Sequence, residues 1–223
     1  MSIKLFFEAI VKFIFGALII GLLLFLPANT INYWNGWLFM GLLFIPMFVA
    51  GIVMMIKSPE LLKKRLNAKE KENEQKEVIA FSGLMFLVGF IIAGLNYRYG
   101  WIMLPKSVVI ISSVVFIIAY ILYAEVLREN TYLSRIIEVQ ENQKVVDTGL
   151  YGIVRHPMYA VTILLFLSMP LVLGSLISFV IFLVYPFIIA KRIKNEEAVL
   201  EKELEGYSEY KKKVKYKMIP FVW

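Results

Sequence analysis

The sequence predicts an all-α polytopic membrane protein, with four transmembrane helices followed by a C-terminal helical hairpin, a polar loop and a polar tail. Three observations predict it. Of the 223 residues, 60% are hydrophobic and 18% are charged, too few polar groups to cover a water-soluble fold. The apolar residues fall in runs of about 20, the length that crosses a bilayer as a helix. The Lys and Arg residues alternate between the connecting segments as they do in polytopic proteins.

The first span runs from Leu5 to Leu26, and its Glu8 and Lys12, four residues apart, share one helix face. It is too long for a secretory leader and lacks a small-residue cleavage site. An uncharged loop, Pro27 to Gly36, leads to the second span from Trp37 to Ile56; Tyr33, Trp34 and Trp37 suit a membrane interface. Residues 57–77 then carry seven Lys/Arg and five Glu, with Pro59 suited to a first helical turn and Leu61, Leu62 and Leu66 on one side. That pattern predicts an amphipathic surface helix. The third and fourth spans lie at Val78 to Leu95 and Val108 to Leu127. Residues 1–127 thus form a four-helix membrane part, and 128–223 a second region.

In the second region a polar stretch from Arg128 to His156 precedes an apolar run from Pro157 to Ala190. As one helix those 34 residues would be about 50 Å long, against a hydrocarbon core of about 30 Å. Pro170, Gly174, Ser175 and Ser178 interrupt the run and predict a turn, hence a hairpin over 157–190. Charge agrees. The loops after the four spans hold zero, seven, two and four Lys/Arg, and the tail 191–223 holds nine. Both termini and the 128–156 segment are therefore expected in the cytoplasm, which requires an even number of crossings between His156 and Lys191.

Composition also excludes chemistry. With no Cys and the single histidine His156, disulfides, thiolate nucleophiles and a histidine-rich metal site are ruled out, and no Asp/Glu spacing resembles a calcium loop. No metal is expected. The net charge of +7 sits in membrane-flanking segments rather than in one stripe, so nucleic acid is not an expected partner. The bilayer is.

Two polar clusters flank the hairpin and are returned to each other by it. In DTGLYGIVRHPMY, residues 147–159, Pro157 can open a helix whose free N–H groups favour an anion beside Arg155 and His156. Residue types alone equally admit turns at Gly149 and Gly152, an Arg155 that snorkels to headgroups and a His156 that caps the helix. In the tail, Arg192 and Glu196 are four apart on one helix face with Glu197 beside them. An Arg fork recognises carboxylate or phosphate, but an ordinary interfacial ion pair has the same spacing.

The segments VVDTGLYGIVRHPMY (Val145 to Tyr159), RIKNEE (Arg192 to Glu197) and EGYSEYKKKVKYKMIPFVW (Glu205 to Trp223), in this order around the hairpin, resemble the isoprenylcysteine carboxyl methyltransferases and their bacterial and archaeal relatives, themselves related to membrane phospholipid methyltransferases. The likeness covers roughly the last 80 residues. It implies a membrane enzyme that takes S-adenosylmethionine without a soluble nucleotide-binding domain, and no G-x-G-x-x-G follows a strand pattern here. By resemblance, the loop 145–159 holds the cofactor through Gly149, Tyr151, Val154, Arg155, His156 and Tyr159, with Glu197 at its ribose or amino group, and Arg192 and Glu196 orient the acceptor. The implied acceptor is a carboxylate on an amphiphilic small molecule or a lipidated substrate, in a prokaryotic plasma membrane. The residues also admit a phospholipid or amine N-methyltransferase, a sterol-type reductase taking NADPH, and a non-catalytic membrane scaffold.

Overall fold

A computed structural model describes residues 3–66, 73–134 and 137–223. Its helices are α1 (Ile3–Ala28), α2 (Trp34–Lys57), α3 (Pro59–Leu66), α4 (Asn73–Tyr99), α5 (Lys106–Glu129), α6 (Pro157–Val172), α7 (Leu176–Phe182), α8 (Tyr185–Glu203) and α9 (Tyr207–Lys213). Among the described residues the only β-type pairing is an isolated bridge between Met103 and Ser175. The protein is an all-α membrane protein. Among the described residues, five stretches are long and apolar enough to cross a bilayer: α1, α2, α4 from Lys76, α5, and α7 with α8 taken together.

Four of those five are the expected spans, each extended by one to five residues into the flanking sequence at either end. The fifth is the return arm of the hairpin. It differs from the expected arm, which stops at Ala190, because the run RIKNEEAVLEKE is itself rich in helix formers and carries α8 on to Glu203. The outgoing arm, α6, is 16 residues, about 24 Å of helix. The surface helix expected over 57–77 is present as α3 at its start and as the first turns of α4 at its end; residues 67–72 of that segment lie outside the described residues.

The hairpin turns at Leu173–Ser175, where Gly174 has φ +74°, a left-handed conformation a side chain would strain. Ser175 caps α7, its hydroxyl accepting from the Ser178 amide. The turn is tied to the loops at one end of the bundle. Tyr33 Oη donates to the Leu173 carbonyl at 2.7 Å, Asn35 Nδ2 to Val172 O at 3.0 Å, and the Leu104 amide to Gly174 O at 3.0 Å. These buried polar groups are paired inside protein, as an apolar surround requires.

At the opposite end lie the charges. Lys12 Nζ bonds Glu8 at 2.6 Å and the Leu66 carbonyl at 2.8 Å, Lys64 donates to Gln140, and Lys191 meets Glu77 at 2.9 Å. So α3 is fastened both to α1 and to the polar segment that follows α5. Between the two ends, Phe39, Phe86, Phe90, Phe116 and Phe182 interlock where α2, α4, α5 and α7 converge, with ring centroids 5.4 to 6.1 Å apart. Large apolar side chains such as Phe15, Leu18, Ile45, Ile111 and Phe187 remain exposed around the outside, the arrangement of a bundle whose solvent is lipid.

Candidate active site

The charged end holds a cleft formed by residues 130–134 and 137–146, the turn at 149–152, the start of α6, the end of α8 and α9.

Its floor is built locally. Gly149 has φ +49° and opens a 3-10 turn, Gly149–Gly152, under which the Glu129 carboxylate at the end of α5 accepts from the Leu150 amide at 3.0 Å. A Cβ on Gly149 would fall 1.9 Å from Glu129 Oε1, so a side chain here would strain the backbone at its positive φ and turn that carboxylate away from the Leu150 amide. The chain then runs through Val154 and Arg155 to His156, and Pro157 opens α6 at its first turn, where the missing N–H costs nothing.

Arg155 and His156 are buried and turn toward the tail. The Arg155 amide donates to Tyr216 O at 2.9 Å and the His156 amide to Lys217 O at 2.8 Å, so two successive amides of the loop hold it against the tail at residues 216–217. Arg155 Nε donates to Glu197 Oε1 at 2.8 Å, and its Nη1 to the carbonyls of Val214 and Lys215, each at 2.8 Å. His156 Nε2 lies 3.1 Å from the same Glu197 oxygen, and Lys217 Nζ 3.4 Å from the other. Glu197 is 5% exposed. It stands behind the cleft wall, bound to the two residues that line the cleft, rather than along the wall itself.

Tyr159 brings the second group together. Its hydroxyl donates to Glu196 Oε2 at 2.5 Å and accepts from Arg192 Nε at 2.8 Å, and its ring stacks on His156 with centroids 5.7 Å apart. Arg192 and Glu196, one turn apart on α8, are thus joined through a tyrosine from α6. All of Arg155, His156, Tyr159, Arg192 and Glu196 line the cleft, as does Tyr151; Gly149 and Val154 shape it from outside its lining. His156 makes no side-chain cap to α6, and Arg155 is buried in protein, so neither the capping nor the snorkelling arrangement is present.

Several residues at the cleft carry no individual signal in the sequence. Tyr210 on α9 donates to the Tyr151 carbonyl at 2.7 Å, and Lys213 bonds Asp147 at 2.7 Å, its ammonium holding that carboxyl below the usual range. Tyr207 lines the cleft beside Leu200 and Leu204. Burial pushes the phenols of Tyr151, Tyr207 and Tyr210 above their ordinary pKa, so each remains a donor. The Tyr-rich spacing of the tail is the one hint of them that the sequence offers.

A bundle of membrane-crossing helices that gathers buried Arg, His, Glu and Tyr side chains into one cleft at its charged end has the form of an integral membrane enzyme. Residues 96–202, from the end of α4 to α8, match the model of the isoprenylcysteine carboxyl methyltransferase (ICMT) family, a likeness that spans just under half of the chain. The class that this match supports is methyltransferase. No curated protein matches the chain.

Proposed function

We propose that the protein transfers a methyl group from S-adenosylmethionine to the carboxylate of an amphiphile whose tail lies in the bilayer. The observation that carries this reading is the pairing, in one cleft, of an Arg155–His156 corner with an Arg192–Tyr159–Glu196 unit. The residues present fit the cofactor: Arg155, His156, Arg192 and Glu196 line one cleft with groups that can meet both its carboxylate and its positive charges, and two buried phenols, Tyr151 and Tyr207, have hydroxyls with no partner among the described residues.

When bound, the cofactor supplies a methyl group on a sulfonium. The loop from Gly149 to His156 holds it, with Arg155 and His156 toward its carboxylate and Tyr151 and Val154 at the turn. Glu197 serves the same end from behind, through its bonds to Arg155 and His156. Tyr159 belongs to both halves, its ring against His156 and its hydroxyl between Arg192 and Glu196. Arg192 orients the acceptor carboxylate, and Glu196 and Tyr159 hold Arg192 in place. An ionised acceptor needs no base, so orientation supplies the rate, and a fork that gripped the carboxylate harder would stabilise the ground state instead. Glu196 in the same cleft supports a second reading, an amine acceptor, for which that carboxylate would serve as base. By the distribution of Lys and Arg, the cleft faces the cytoplasm of a prokaryotic cell, with both termini on that side.

The test is direct. Protein purified in detergent should bind S-adenosylmethionine in a calorimeter and pass labelled methyl to a membrane lipid extract, giving a base-labile product. A base-stable product would favour the amine reading; binding of NADPH and not of S-adenosylmethionine would overturn both.

A further inference from the structure

Residues 211–223 hold five lysines, no acidic residue and an unbroken apolar stretch over 218–223. Met218 is buried and belongs to the same core cluster as Ile189 and Ile193 of α8. The side chains after it turn outward. Phe221 is 87% exposed and Val222 75%, and Ile219 and Trp223 are exposed beside them. These residues are held in one turn: the amides of Met218 and Ile219 both donate to Trp223 O at 3.0 Å, and those of Val222 and Trp223 to Ile219 O at 3.1 Å. The Phe221 ring lies 5.3 Å from that of Tyr216, and the Lys217 ammonium 5.0 Å from the centre of the Trp223 ring.

The depth of this turn follows from its neighbours. At its far end α6 meets the hairpin turn, which is bonded to the loops before α2 and α5. From there α6 rises about 24 Å to Pro157, less than a hydrocarbon core of about 30 Å. Pro157 therefore stands no farther out than the edge of the apolar layer. The amides of Arg155 and His156, immediately before it, hold the tail at Tyr216 and Lys217, and the apolar turn begins one residue later. It lies at headgroup level.

Charge identifies what meets it there. Lys211, Lys213 and Lys217 face Glu201, Asp147 and Glu197, whereas Lys212 and Lys215 are exposed and take part in no ion pair among the described residues. Aromatic and aliphatic side chains at the interface, flanked by uncompensated lysines, are complementary to an anionic lipid surface. We infer that the turn at 218–223 docks into the headgroup layer of an anionic bilayer, with Ile219, Phe221, Val222 and Trp223 inserted and Lys212 and Lys215 on lipid phosphates. None of these residues lines the cleft, so the docking stands or falls apart from methyl transfer.

Because the native chain has no cysteine, a nitroxide on Val222→Cys reports alone in full-length protein reconstituted into nanodiscs. In nanodiscs containing phosphatidylglycerol the label should collide more with oxygen than with a water-soluble nickel chelate. A label on Glu141→Cys, exposed at the same end, should favour the chelate. In phosphatidylcholine alone the label at 222 should shift toward the chelate. In phosphatidylglycerol, Lys212→Gln with Lys215→Gln should lower the ratio of docked to free label about fivefold for each charge removed. A label at 222 that favours the chelate in every membrane overturns the docking. One that favours oxygen equally in both lipids, and without the two lysines, shows apolar contact alone and overturns the anionic surface as the occupant. A label screened from both reagents shows the turn covered by protein, as by a second copy of the chain, and overturns it as well. Should Val222→Cys fail to fold, Phe221→Cys takes its place with the same readings.

Discussion

Arg155 is held by its own chain through a carboxylate at Nε and two carbonyls at Nη1. Removing one partner of such a buried pair generally costs about 3–5 kcal/mol, because the other charge is left without compensation. Arg155 and Glu197 therefore have structural weight that would confuse any activity measurement made on them alone. Arg192 is the better probe of chemistry. Its Nε donates to Tyr159 Oη at 2.8 Å, which fixes the plane of the guanidinium, and Lys has no second nitrogen with which to keep that plane. Arg192→Lys should lower turnover by about tenfold to a hundredfold, the scale of a misplacement near 1 Å, while S-adenosylmethionine affinity stays constant. The check is single-turnover transfer set beside calorimetry on the same preparation. Full turnover in Arg192→Lys would make Arg192 an interfacial anchor.

Among the elements, the turn at 149–152 joins sequence to site most tightly. Gly149 combines a positive φ with a Cβ position that the Glu129 carboxylate already fills. Gly149→Ala should displace the turn and weaken S-adenosylmethionine binding about tenfold or more, the order of a lost hydrogen bond to a charged group. Pairing it with Glu129→Ala relieves the clash and should recover part of the affinity. If the single variant binds as wild type does, the turn is not part of the cofactor site. The glycine is visible in the sequence; the carboxylate that requires it, 20 residues earlier on α5, is not. The same split runs through the other elements. Each span is legible because about 20 apolar residues in a row admit one explanation, yet every span reads short, because helices continue into polar interfacial sequence where apolar periodicity gives no signal. The break between α7 and α8 at Leu183–Val184 has no glycine or polar residue to announce it. Spacing puts Arg192 and Glu196 on one face, as the structure does, but Tyr159 between them comes from another helix, and helix spacing cannot show a cross-helix bridge. The tail's closure over Arg155 and His156 is less legible still, since its acceptors are backbone carbonyls and any residue has one.

The two ends of the whole molecule differ in chemistry, and that difference constrains the topology. The hairpin turn at Leu173–Ser175 contacts the loop before α2 and the loop before α5, while the 145–159 loop, α9 and the tail gather at the end occupied by α3. Because α6 leaves the charged end and α8 returns to it, residues on either side of the hairpin must face the same compartment. The contacts do not depend on which compartment that is; the count of seven and four Lys/Arg in the segments at this end against zero and two at the other is the ground on which we propose the cytoplasm. The chain has no native cysteine, so single introduced cysteines report without background. Ile31→Cys and Lys106→Cys, both exposed and at the turn end, should react with a membrane-impermeant maleimide in intact cells. Glu141→Cys and Lys212→Cys, exposed at the cleft end, should react after lysis alone. Labelling of position 212 in intact cells together with protection of 141 would mean an odd number of crossings and would break the hairpin. Labelling of both 141 and 212, with 31 and 106 protected, would keep the hairpin and invert the protein, turning the cleft away from the compartment where S-adenosylmethionine is made, and so would count against the proposed function even though every contact in the fold survived.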